Sequence, residues 1–153
     1  MTKRILVPLS DEEGDDTILP LVAALARESG ATVRRLRVYA IPENIVGTNG
    51  RVLAYVHQEM DRLNSEGLAQ LQAAEFQLDG VPVEHVVRFG DPVEEILLEA
   101  EAWSADLIAL TTSTRARLWG ALFPGVAEQV SHKAPMPTVV LRVAPGPGAT
   151  RSA

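Results

Sequence analysis

Four hydroxyls and two arginines stand close together in TTSTRAR, residues 111–117, and Pro124 and Gly125 follow a short way on. Hydroxyls donate to phosphate oxygens, and a guanidinium fork clamps an oxyanion with two parallel bonds. The full stretch, TTSTRARLWGALFPGVAEQV, runs from DLIAL, which reads as a buried strand, into the start of a helix. A helix start points backbone N–H groups and the positive end of its dipole at whatever lies before it. Two readings stay open: an anion or altered-nucleotide pocket built on Ser113, Arg115 and Arg117, or a polar loop with exposed arginines. Pro124 reads as the first residue of the helix that follows.

Other chemistry is sparse. His57, His85 and His132 are scattered and form no HExxH pattern, so surface or packing roles are expected. The acidic run DEEGDD, residues 11–16, reads as a solvated helix start, with Mg²⁺ beside a bound phosphate as its other use. GTNGR at 47–51 lacks the GK[ST] of a phosphate loop, and no helix follows Gly146-x-Gly148. There is no cysteine and no GxSxG, so no activated nucleophile is visible and no catalytic residue is assigned. Trp103 and Trp119 are isolated and read as packing residues. Arg34, Arg35 and Arg37 crowd into one apparent strand, where they are expected to snorkel or to pair with acids.

The elements that position these residues follow from periodicity. RILVPL (4–9), TVRRLRVYA (32–40), PVEHVVRF (82–89), ADLIALTT (105–112) and TVVLRV (138–143) read as strands. Ile18, Leu21, Val22, Leu25 and Ala26 form the stripe of a first helix, with Asp16 as its N-cap and Gly30 at its end. A long helix is expected over 51–79, and one capped by Asp91 with Pro92 at its first position begins at GDPVEE. A last helix covers 124–133. Strands alternating with helices imply an α/β fold: one doubly wound domain (1–143), with a five-stranded parallel sheet of order 3-2-1-4-5 and helices on both faces. Ligands of such sheets lie at the carboxyl ends of the strands where the order reverses, here the first and the fourth. The Pro/Gly/Ser-rich tail 144–153 is expected to be disordered.

Composition narrows the classes. The 153 residues suit one domain, and the net charge of −6 argues against nucleic acid. No apolar run approaches the roughly 20 residues of a membrane span, and no leader is visible, so a cytoplasmic location is expected.

ILVPLS, RFGDPVEEIL, DLIALTTSTRARLWGALFPGVAEQV and APMPTVVLRV, in that order and spacing, resemble the universal stress protein family over about residues 3–143. The resemblance implies an adenine-nucleotide alpha-hydrolase-like fold and a homodimer joined through the last strand, here Thr138, Val139, Val140, Leu141, Arg142 and Val143. It also implies a division between nucleotide binders and non-binders. Binders carry a G-x-x-G stretch after the fourth strand, then a Gly followed by Ser or Thr. Those positions fall here on Thr111, Thr114, Pro124 and Gly125, and none matches. The Asp that binders place after the first strand falls on Ser10. A β-branched Thr114 disfavours the positive φ that glycine supplies, and Pro124 lacks an N–H.

The candidate nucleotide or anion site is therefore Pro8, Leu9, Ser10, Val38, Thr111, Thr112, Ser113, Thr114, Arg115, Arg117, Gly125 and Val126. The function expected is a homodimeric stress-response interaction module with a degenerate nucleotide site, no catalysis, no resident cofactor and no metal, working with protein partners. The alternative is an ATP/AMP sensor, with Mg²⁺, that uses altered contacts and hydrolyses slowly at most.

Overall fold

The computed structural model describes residues 3–9, 15–42, 50–113 and 125–143, with the side chains at 15–16, 50–54, 113 and 143 left aside. Five parallel strands run in the order expected: β1 (Arg4–Leu9), β2 (Thr32–Tyr39), β3 (Val83–Phe89), β4 (Leu107–Ser113) and β5 (Thr138–Val143) lie as β3-β2-β1-β4-β5. Among the described residues four helices connect them: α1 (Leu19–Ser29), α2 (Gly50–Ala73), α3 (Pro92–Trp103) and α4 (Val126–Lys133). Steps toward β3 and steps toward β5 go opposite ways, so right-handed crossovers put α1 and α2 on one face and α3 and α4 on the other.

That division makes two cores. Ile5 and Val7 point to the face where Ile18, Leu19, Val22, Ala26, Val33, Leu78 and Ala109 gather. Leu6 points to the opposite face, with Leu36, Val93, Ile96, Ala100, Ile108, Leu110 and Val130. β1 serves both cores, which is why it reads as an unbroken apolar run rather than an alternating one.

The helix ends depart from the sequence expectation in instructive ways. The N-cap position of α1 falls on Ile18 rather than on Asp16. A 3₁₀ turn over Asp15–Ile18 leads in, and Ile18 holds the cap position without a side-chain bond. The tight turn feeds the chain into the helix, so a side-chain cap is dispensable. Gly30, at φ 69°, ends α1 in the left-handed region. Asp91 does cap α3, accepting the Glu94 N–H at 3.0 Å, with Pro92 in the first turn.

The expected single helix over 51–79 stops at Ala73 and resumes as a 3₁₀ turn over Glu75–Leu78. Arg35, 1% exposed, donates to the Leu71 carbonyl at 2.9 Å. It satisfies an acceptor at the negative end of α2 and so gives a buried cation a place. In the middle of α2, Gly67 makes room for a neighbour. A Cβ there would lie 3.0 Å from Tyr39 Cε2 and 3.0 Å from Val87 Cγ2. The Tyr39 ring, stacked on Phe89, fills this notch.

On the other face, Glu99 is 5% exposed, yet both its oxygens are taken. Arg34 reaches one at 2.7 Å and Arg88 the other at 2.7 Å. Arg34 also pairs with Glu84 and lies over the Trp103 ring, 4.5 Å from its centroid. Arg88 pairs with Glu95 at 2.6 Å, and this bond, with Glu99's, holds its guanidinium charged against burial. Two arginines and three glutamates thus bind β2, β3 and α3 together, as the pairing expectation for Arg34 requires. Arg37 instead lies over the Tyr39 ring at 4.7 Å.

Candidate functional site

The sheet order reverses between β1 and β4, so the crevice to consider lies beyond Leu9 and Thr111. Register places Leu9 beside Arg37 on one side of β1, and Thr111, Thr112 and Ser113 beside Leu141, Arg142 and Val143 of β5. Thr111 and Thr112 are half-buried, at the carboxyl end of β4 where hydroxyl donors to an anion belong.

α4 begins at Val126, two residues later than expected, with Gly125 as its N-cap and no side-chain cap bond. Its N-terminal N–H groups therefore face away from the helix without a side-chain acceptor of their own cap. Gly125 has φ −66°, a conformation open to any residue, and a Cβ would meet nothing within 4 Å. The geometric reason for a glycine at a phosphate loop does not operate at this position. Val38 packs against the α3-side core, half-buried among Leu36 and its neighbours. Ser10, Thr114, Arg115, Arg117 and Pro124 lie outside the described residues, as do most of the acidic run and the tail 144–153.

Pro8 interrupts the ladder beside this crevice, which sequence reading does not reveal. In a parallel strand the N–H and C=O of one residue face the same neighbour, and successive residues alternate. The Lys3 carbonyl accepts from Thr32, on the β2 side, and the Arg4 carbonyl accepts from Asp106, on the β4 side. Arg4, Leu6 and Pro8 therefore face β4. Pro8 has no N–H to give, and the acceptor left without it in this register is the Ala109 carbonyl. The ladder between β1 and β4 accordingly pairs Ile5 with Leu107 and Leu6 with Ile108, then breaks at the level of Val7 and Pro8. On the other side, β1 and β2 pair without interruption as far as Leu9 and Arg37.

At the amino end of the same two strands the arrangement is the reverse. The Asp106 carboxylate accepts from the backbone N–H of Lys3 at 2.9 Å and of Arg4 at 3.0 Å. These bonds, Lys3's first, hold its pKa below the ordinary carboxylate value. β1 and β4 are clipped together at the bottom and, among the described residues, miss a rung at Pro8 near the top.

Among the described residues no cluster of three His, Asp or Glu stands ready for a metal, and no helix is long and apolar enough to cross a membrane. A shallow cavity of about 190 Å³ lined by Leu25, Glu28, Ser29 and Leu107 lies at the amino end of β4, away from the crevice. His85 meets Glu75 at 3.3 Å, while His57 and His132 are exposed, so none converges on the crevice.

A doubly wound sheet with this strand order and a crevice at its reversal defines a class of small α/β proteins that place ligands at strand ends. Within that class the chain belongs to the universal stress protein family, which it matches over residues 1–142. It is similar to the hypothetical protein MJ0577, a structure used to assign biochemical function, with 24% identity and a TM-score of 0.77 over 95% of this chain and 99% of that one. Universal stress protein UspA from Lactobacillus plantarum is similar at 17% identity and a TM-score of 0.73, over 92% of this chain and 98% of that one. A universal stress protein solved in complex with cAMP is similar at 16% identity and a TM-score of 0.63, over 92% and 97%. A search of curated proteins returns no match.

Proposed function

We propose that this chain is a cytoplasmic stress-response module that works as a homodimer through β5 and lacks catalysis of its own. In this reading its nucleotide crevice does not hold ATP in the usual family manner. The observation that carries the dimer is β5 itself. It is an edge strand, bonded to β4 alone among the described residues, and Val140 is 38% exposed on it. An apolar edge with unpaired backbone groups invites a second strand. The degenerate crevice is supported by Gly125, which lacks the hydroxyl that binders carry at that position, and by Thr114 and Pro124 in place of glycines.

A second reading has its own support. Thr111 and Thr112 bring hydroxyls to the end of β4, α4 begins without a side-chain cap, and a similar protein has been solved with cAMP. In that reading Arg115 and Arg117 replace the glycine-rich contacts, and ATP or AMP, with Mg²⁺, is sensed rather than turned over.

Thermal melts with and without MgATP separate the two. Ligand at about 100 times Kd adds roughly 2.7 kcal/mol, an upward shift on the order of 5–10 °C for a chain of this size. The first reading expects no saturable shift up to millimolar MgATP. A saturable shift that Arg115→Ala diminishes replaces it with the second.

A further inference from the structure

We propose that Pro8 is a positioning residue for the crevice. By withholding the one N–H that would tie β1 to the Ala109 carbonyl, it leaves the carboxyl ends of β1 and β4 free to part and admit a phosphate-bearing group between Leu9 and Thr111. The inference deepens the second reading above, in which the crevice keeps a ligand.

Three observations carry it. First, β1 is the central strand of the sheet, with a neighbour on each side, and proline is disfavoured in such a strand because it removes a rung. Second, the choice of position matters. Odd-numbered residues of β1 face β2, so a proline at Val7 or Leu9 would cut the ladder on the side away from the reversal. At position 8 the cut falls between the two strands that bound the crevice, one residue below its mouth. Third, among the described residues the β1–β4 register ends at Leu6 and Ile108, just below Pro8, while the β1–β2 register runs on through Leu9.

The next rung up depends on Thr111. Alternation slips once where the chain enters β4, because the Asp106 N–H faces β1 whereas the Ile108 N–H goes to Pro137 on the β5 side; from Ile108 onward the odd-numbered N–H groups, Thr111's included, face β1. With the rung at Pro8 missing, that bond has no neighbour directly beneath it in the β1–β4 ladder, and opening there need not propagate down the sheet.

The test is amide hydrogen exchange on the full chain without ligand, comparing the unaltered protein with Pro8→Ala and Pro8→Val. The new amide at residue 8 is expected to be protected at least about 100-fold, and the Thr111 amide to slow by about 10-fold as the strands close. MgATP, used as the phosphate-bearing probe, is expected to bind both variants about 10-fold more weakly than the unaltered chain. An unprotected amide at residue 8, or Thr111 exchange unchanged in both variants, overturns the inference. Absence of any MgATP response in the unaltered chain instead sinks the ligand reading, while the exchange data still decide whether Pro8 keeps the strand ends apart.

Discussion

The sheet has two edges, and they are made differently. β3 reads VEHVVRF, and each of its polar residues is engaged: Glu84 by Arg34, His85 by Glu75, and Arg88 by Glu95 and Glu99. β5 reads TVVLRV, carries Arg142 as its one charge and leaves Val140 well exposed. A charged edge resists a foreign strand, because pairing would strip water from ions already committed to partners. An apolar edge has no such barrier. The same backbone liability is thus guarded on one side of the molecule and left available on the other, which gives the proposed self-association a direction.

The largest expected effect is on the guarded side. Glu99→Ala leaves Arg34 and Arg88 without their shared buried acceptor and is expected to lower unfolding stability by about 3 kcal/mol in urea denaturation. A loss below about 0.5 kcal/mol would mean the network is ornamental and the contrast between edges one of composition only. Next comes the available side. Val140→Asp is expected to raise the dimer dissociation constant at least about 10-fold, roughly 1.4 kcal/mol, by light scattering over a concentration series. An unchanged dimer would move the interface off β5. A smaller effect should follow from making β3 resemble β5. Glu84→Val is expected to leave the monomer within about 1 kcal/mol of its stability and to increase self-association at high concentration.

The smallest effect concerns neither edge and serves as a control. The folded pKa of Asp106 is depressed, so its contribution is present above the ordinary carboxylate value of 3.8 and is lost as pH falls through the folded value. Asp106→Asn is expected to shallow the acid limb of the stability curve and leave dimerisation untouched. A change in dimer affinity would show that the clip between β1 and β4 communicates with β5.

The architecture was legible because each element announced itself locally. Apolar runs of strand length alternate with helical stripes, and turn residues such as Gly30 and Asp91 punctuate them. The strand order expected of the doubly wound sheet, which crossover handedness limits without fixing, was found. Legibility failed where a partner distant in sequence decides the outcome. The break in α2 is accompanied by Arg35 on Leu71, thirty-six positions away. The start of α1 follows a 3₁₀ turn that no capping pattern marks. Of the candidate site, Pro8, Leu9, Thr111 and Thr112 lie at the ends of the two strands beside the reversal, and Val38 packs against the α3-side core. Pro8 reads in the sequence as a ligand neighbour, but which strand its missing N–H faces depends on parity set at Lys3 and Arg4, which a string of letters does not display.

The notch at Gly67 bears on how α2 can move. Sliding a helix along the sheet by one turn, about 5.4 Å, would bring Leu63 or Leu71 over the Tyr39 ring, and neither side chain fits where a hydrogen now sits. The ring acts as a detent. With the Leu71 carbonyl held by Arg35 as well, two separate contacts with β2 oppose axial travel of α2.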